Sequence, residues 1–170
     1  MTPRVGILRG DLTQDTADAI VNAANQAMLG GGGVDGAIHR AAGHALLEAC
    51  RAVPEVRPGV RCPTGEARIT PGFELRARHV IHTVGPVYSG VPRDAALLAS
   101  AFRSSIELAI AHGLRSIAFP AISCGVYGYP MQDAATISAE VVRERAWNLD
   151  EIRFVLFSEQ ALAAWTRAFA

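Results

Sequence analysis

The chain predicts an α/β fold: a mixed, mostly parallel central sheet covered by helices on both faces. Three observations carry this. Short apolar runs rich in Val, Ile and Ala alternate with longer stretches of helical periodicity, the pattern of strands buried between helical layers. Half of the residues are hydrophobic and only 6% are aromatic, so the core is aliphatic. Finally, two β-like runs flank a turn containing Pro71-Gly72 and read as an antiparallel pair, which makes the sheet mixed.

Each element follows from local pattern. Val5 to Leu8 reads as a short strand, and Ala19 to Ala24 as a buried one ending at Asn25. Val34 to Ala42 is a helix with Val34, Ile38 and Ala41 on one face; Gly43 ends it, and His44 to Val53 continues as a second helical stretch. Pro54, Pro58, Gly59, Pro63 and Gly65 mark a loop. Glu66 to Thr70 and His79 to Val84 are the strands around the Pro71-Gly72 turn. Arg93 to His112 is the longest helix, with Leu98, Ala101, Phe102, Ser105 and Ala109 at helical spacing and Gly113 as the stop. Ser116 to Phe119 is a strand leading into Pro120, Met131 to Trp147 a helix, Ile152 to Phe157 a strand, and Gln160 to Phe169 a closing helix. No internal repeat or low-complexity segment interrupts this order, and 170 residues suit one domain over 1–170.

Composition excludes several classes. Sixteen basic and sixteen acidic residues cancel, so the chain lacks the basic field of a protein that coats nucleic acid. An anionic ligand would be held by aimed backbone dipoles instead. Cys50, Cys62 and Cys124 are an odd number without C-x-x-C spacing, which argues against a disulfide framework or a structural zinc site. No apolar run approaches membrane-spanning length and the N-terminus lacks a signal-peptide pattern, so a cytoplasmic location is expected.

Three segments carry chemistry. In the first, Val21-Asn22-Ala23-Ala24-Asn25 leads to Gly30-Gly31-Gly32-Gly33-Val34-Asp35-Gly36. Serial glycines let backbone N–H groups approach a ligand, and the helix start beside them favours an anion. Asp35 would sit close to that anion, a costly placement that suggests chemistry; the alternative is an acid stabilising its own helix start. The segment is neither a dinucleotide fingerprint, since five residues separate the strand end from Gly30, nor a P-loop, since no Gly-Lys-Ser/Thr follows. The second segment, Pro120 to Pro130, joins a buried strand to a helix. Its Ser123, Gly125 and Gly128 allow the backbone to wrap a phosphate, and Tyr127 offers a flat face to a sugar or base. Read blandly, it is a glycine-rich turn with a buried aromatic. The third is Gly10-Asp11-Leu12-Thr13 at the end of the first strand, where a lone carboxylate is most often a cap or turn residue.

Taken together, these segments resemble a macrodomain. Gly10-Asp11-Leu12-Thr13, Val21 to Asn25, Gly30 to Gly43 with His39-Arg40-Ala41-Ala42, His82-Thr83-Val84-Gly85-Pro86, and Ile122 to Pro130 stand in that family's order over nearly the whole chain. Asn25, six residues, then Gly32-Gly33-Val34-Asp35-Gly36 is similar to the MacroD-type branch in particular. The resemblance implies a three-layer α/β/α fold with ADP-ribose bound across the sheet's carboxyl edge. It implies that Asp11 accepts from the adenine amino group with support from the Leu12 N–H, and that Phe157 packs on the adenine. Gly32, Gly33 and Val34, with Ser123, Cys124, Gly125, Val126 and Tyr127, would enclose the diphosphate. Tyr127 would lie along the distal ribose and Asn25 would bond its hydroxyls.

MacroD-type members hydrolyse the ester between ADP-ribose and a carboxylate side chain and deacetylate O-acetyl-ADP-ribose. The resemblance therefore implies catalysis by Asp35, with Asn25 and His39 as its helpers and no metal or cofactor. His39, one turn after Asp35, either orients it or is a partly buried histidine satisfied by the backbone. Asn22 supports Asn25 or bridges strands. Cys124 stands in place of a small hydroxyl residue and reads as a loop residue rather than a nucleophile. The stretch Phe157-Ser158-Glu159-Gln160 is less acidic than in many relatives. Val34-Asp35 replaces the paired glutamates of the poly-ADP-ribose glycohydrolase branch, so chain cleavage is not expected. Cys50 and Cys62 are poorly placed for the ligands of the zinc-bearing branch. Expected partners are ADP-ribose, ADP-ribosylated proteins and O-acetyl-ADP-ribose, with no membrane, no extended nucleic acid and a monomeric state. The competing readings are a non-catalytic ADP-ribose reader and an enzyme acting on ADP-ribosylated nucleic acid ends.

Overall fold

Successive residues of a strand face opposite ways, and here that alternation sorts the core into two layers. Ala19 and Val21 face one side, Ile20 and Asn22 the other. The computed structural model describes residues 2–170. Its strands are β1 (Arg4–Arg9), β2 (Ala19–Ala23), β3 (Ala67–Pro71), β4 (His79–Thr83), β5 (Ser116–Phe119) and β6 (Glu151–Leu156). The helices are α1 (Gly33–Ala42), α2 (His44–Arg51), α3 (Pro92–Ala111), α4 (Met131–Arg143) and α5 (Glu159–Phe169), with a short 3-10 turn over Leu12–Gln14.

One six-stranded sheet runs in the order β1-β6-β5-β2-β4-β3. All neighbours are parallel except β3, which pairs antiparallel with β4 at the edge. Helices α3, α4 and α5 cover one face through Leu98, Phe102, Ile106, Ala135 and Trp165. Helices α1 and α2 cover the other through Ile38, Ala42, Leu46 and Cys50. This is the expected α/β/α sandwich, and each fully buried Ile or Leu in it contributes about 1.5–3 kcal/mol. The chain leaves β2 toward one edge and β5 toward the other, so the strand order switches between these two central neighbours. Ligands of open parallel sheets collect at such a point, beyond the carboxyl ends.

The structure corrects some boundaries. Helix α4 ends at Arg143, not Trp147. Trp147 leaves the helix because its ring docks in the core, where Nε1 donates to Val141 O at 3.0 Å and the Arg145 guanidinium covers the ring at 4.4 Å. Helix α2 stops at Arg51, short of Val53. On α1, Val34 and Ala41 pack partly buried against the cluster that holds Ile38, as expected, and Ala42 is fully buried with it. Strand β6 ends at Leu156, which leaves Phe157 outside the sheet.

Candidate active site

The loops after the five parallel strands converge. Gly10 to Thr13 follow β1, Ala24, Asn25 and Gly31 to Asp35 follow β2, and Gly85 follows β4. Pro120, Ala121 and Ser123 to Tyr127 follow β5, and Phe157, Ser158, Gln160 and Ala161 carry the wall onward from β6. Together they line a cleft of about 870 Å³, within the range of small-molecule sites. Asp11, Leu12, Asn25, Gly32, Gly33, Val34, Asp35, Ser123, Cys124, Gly125, Val126, Tyr127 and Phe157 all reach it. Of the residues expected from the sequence, only His39 does not line the wall; it sits one helical turn behind Asp35.

Two glycines make the cleft's shape possible. A Cβ on Gly36 would fall 2.7 Å from Gly31 O, so α1 abuts its own glycine loop with no room for a methyl. A Cβ on Gly85 would collide with Ser123 Oγ and Ile122. Ser123 itself holds a left-handed φ of 66°, an uncommon conformation outside glycine that aims the following amides. Among the described residues, the N–H groups of Gly125, Val126 and Tyr127 make no bond within the protein. Those of Gly33, Val34 and Asp35 lack helical partners because they open α1. Two rows of unpartnered amides thus belong to residues that line the same cleft. The Tyr127 carbonyl accepts from Tyr88 N–H at 2.8 Å, which ties the β5 loop to the segment after β4.

Asp35 is 4% exposed. Burial pushes its carboxyl above the usual value, while the Asn22 bond and the nearby His39 pull the other way. Its two oxygens have different neighbours. Oδ1 accepts from Asn22 Nδ2 at 2.9 Å and lies 3.4 Å from His39 Nε2. That histidine contact is close enough for charge attraction but misaligned for a hydrogen bond, and Nε2 has no other partner among the described residues. Oδ2 faces the glycine loop, 3.1 Å from where a Cβ on Gly31 would stand. On geometry, the His39 ring stands behind Asp35 without a hydrogen bond to it.

Other expected residues carry structural duties as well. Asp11 Oδ1 accepts from Thr13 N at 2.9 Å and Thr13 Oγ1 at 2.7 Å, so it is the cap of the 3-10 turn. The Asn25 side chain accepts from Met28 N and donates to Gly30 O, both at 3.1 Å, and thereby shapes the loop that carries the glycines. Phe157 is 89% exposed and Val126 is 97% exposed, both on the cleft wall. The Cys124 thiol is pushed up to about 12 by burial, so it stays protonated and is a poor nucleophile.

Sequence reasoning missed one group. Behind Asp35, Asn22 Nδ2 also contacts His82 Nδ1 at 3.1 Å, and His82 Nε2 meets Thr70 Oγ1 at 2.9 Å. The available signal was Asn22, a polar residue interrupting the otherwise apolar strand β2; β3 and β4 carry further polar residues, so Thr70 and His82 do not stand out in them.

Comparison with known proteins agrees with this architecture. The Macro domain family model matches residues 21–138. The chain is a macrodomain. A macro domain-containing protein of Xanthomonas campestris is 54% identical, over 98% of this chain and 96% of that one. The solved Oceanobacillus iheyensis macrodomain with ADP is 44% identical, with a TM-score of 0.89 over 95% of this chain and 87% of that chain. The Trypanosoma brucei macrodomain solved with ADP-ribose is 42% identical, with a TM-score of 0.88 over 98% of this chain and 69% of that chain. In this macrodomain no helix among the described residues is long and apolar enough to cross a membrane.

Proposed function

We propose that this macrodomain, acting as one domain over residues 1–170, binds ADP-ribose and hydrolyses esters at its distal ribose. The substrates are mono-ADP-ribose linked to Asp or Glu side chains and O-acetyl-ADP-ribose. The observation that carries the reading is the buried Asp35, whose Oδ1 is anchored behind the wall while Oδ2 stands at the glycine loop. The free amides of α1 and of the β5 loop would hold the diphosphate, a preorganised arrangement that needs no net positive charge. Asp11 and Phe157 would receive the adenine end, and Tyr127 and Asn25 the distal ribose.

In this scheme a water lies between Asp35 and the bound phosphate. Asp35 orients it and takes its proton as the water attacks the ester-bearing ribose end; the ester and one water become a carboxylic acid and a ribose hydroxyl. Burial raises the carboxyl toward the working pH, as suits a general base. The proposal keeps the expectations of a cytoplasmic, monomeric protein without a bound metal.

The test is release of ADP-ribose from a carboxylate-linked mono-ADP-ribosylated target, compared with Asp35→Ala. Release by the native protein and loss in the variant is the expected result. Equal release by both would remove Asp35 from the mechanism. No release by either, with ADP-ribose still bound, would make the protein a reader.

A further inference from the structure

Asn22 and His82 are register partners on the neighbouring strands β2 and β4, and both face the layer under α1 and α2. Both are 0% exposed. Polar groups so deep in a sheet are costly unless bonded, and their bonds form a chain that ends on Asp35. An amide nitrogen carries two hydrogens and no accepting lone pair. Asn22 Nδ2 therefore donates one hydrogen to Asp35 Oδ1 at 2.9 Å and the other to His82 Nδ1 at 3.1 Å. With Nδ1 accepting, the imidazole proton sits on Nε2 and is donated to Thr70 Oγ1 at 2.9 Å. Burial, reinforced by charge on His39, pushes the His82 pKa down to about 3, so the ring stays neutral.

We propose that His82 is a positioning residue: it fixes the orientation of the Asn22 amide and, through it, the carboxylate of Asp35. The lock works by exclusion. Half a turn of the amide would set its oxygen against two acceptors at once, His82 Nδ1 and Asp35 Oδ1. Nothing holds the amide from the other side, since Asn22 Oδ1 has no partner among the described residues. Orientation is thus decided wholly at the nitrogen, and His82 supplies half of that decision. The donor delivered to Oδ1 favours the charged carboxylate against its burial and leaves Oδ2 at the glycine loop.

The proposal rests on the hydrolytic reading for its effect on rate; the orientation of Asp35 is measured separately. The titratable groups around the lock are Asp35 and His39 on α1, Cys50 on α2, and Cys62 in the loop before β3. Burial pushes both thiols up to about 11, so neither titrates in the range of the test. Arg61 lies near Cys50, and Arg68 and Glu66 near Cys62.

The experiment compares His82→Leu with His82→Asn, whose side-chain oxygen falls near the Nδ1 position and can still accept from Asn22. The readouts are NMR titration of the Asp35 carboxyl, the pH profile of kcat, and ADP-ribose affinity. His82→Leu should raise the Asp35 midpoint, move the acidic limb of kcat to higher pH and lower kcat between about tenfold and 100-fold. Affinity for ADP-ribose should stay within about threefold, because the binding amides are untouched. His82→Asn should restore the midpoint. An unchanged midpoint in His82→Leu, or equal shifts in both variants, overturns the proposal. If His82→Leu does not fold, Thr70→Val removes the group that holds the ring's tautomer and should shift the midpoint in the same direction; no shift there also overturns it. Absence of hydrolysis by the native protein would refute the proposed reaction, while the Asp35 titration would still decide the lock.

Discussion

Replacing Asp35 by Asn separates the chemistry of this site from its packing. The asparagine oxygen can still accept from Asn22 Nδ2, now at 2.9 Å from Asp35 Oδ1, so the buried amide keeps its partner. What disappears is the basic lone pair and the buried charge. Loss of one positioned base lowers kcat by about 10²–10⁴-fold, or about 2.7–5.5 kcal/mol of transition-state stabilisation. Stability should move the other way. Burial raises the Asp35 pKa in the folded state above its unfolded value near 3.8. The stabilising contribution of its proton is fully present below the unfolded value and is lost as pH rises through the folded one. At neutral pH the native protein therefore bears a buried charge that Asp35→Asn lacks. The variant should melt at or above the native temperature at pH 7.5, and this advantage should vanish near pH 3.5. The assays are single-turnover release from a carboxylate-linked mono-ADP-ribosylated peptide and thermal melts at both pH values. Release within about threefold of native, against a base worth at least about 10²-fold, would refute the catalytic assignment. A clear loss of melting temperature at neutral pH would refute the account of burial.

Three further outcomes follow from the same geometry. Asp11→Ala removes the cap that Thr13 N and Oγ1 share. It should cost about 0.5–2 kcal/mol of stability and, by calorimetry, weaken ADP-ribose about tenfold, the worth of one hydrogen bond to a charged group; unchanged affinity would remove Asp11 from the adenine site. Gly85→Ala drives a methyl into Ser123 and Ile122; overpacking of this kind costs about 1–3 kcal/mol, and the displaced β5 loop should bind ADP-ribose at least about tenfold more weakly, about 1.4 kcal/mol. For Cys124, a thiol pushed up to about 12 is ionised in only about one molecule in ten thousand at pH 8. Mass spectrometry should find it almost unalkylated by iodoacetamide under conditions that modify a free cysteine, and Cys124→Ala should retain hydrolysis.

The legible part of this protein was its local part. Alternating Ala19, Ile20, Val21 and Asn22 announce a strand buried on both faces, and Leu98, Phe102 and Ser105 a helix with one inward stripe. The glycine run before Asp35 states where a helix begins and what would gather there, and every loop residue chosen on that logic reaches one cleft. The contacts that escaped are those made between elements distant in sequence. Asn22 and Asp35 are 13 residues apart and Asn22 and His82 are 60 apart. Asn22 meets His82 only because β2 and β4 pair in one particular register, and meets Asp35 only because α1 packs back over β2; no local pattern specifies either. His39 stands on the same helical face as Asp35, as its four-residue spacing implies, but that spacing does not set the angle of the ring. Trp147 failed similarly, since helical periodicity continues past Arg143 while a tertiary site claims the indole.

In the proposed function, holding an anion with main-chain donors would have a consequence for the acid beside it. Among the cleft's lining side chains Arg40 alone is basic, and it is not among the groups that shift Asp35, which are burial, Asn22 and His39. An arginine clamp on the diphosphate would set a full positive charge within a few ångströms of Asp35. That charge would draw the carboxyl's pKa down by about 1–3 units and offer it an ion-pair partner, which turns a base into a counter-ion. In the proposed site, amide dipoles at α1 and in the β5 loop would attract the same ligand with fractional charges fixed in direction, and would set no arginine clamp beside the carboxylate. The glycines and the overall neutrality of the chain thus belong to one solution. Loops proposed to present amides to a ligand would need the close approaches seen at Gly36 and Gly85, and a site built that way would keep an acid poised next to bound phosphate.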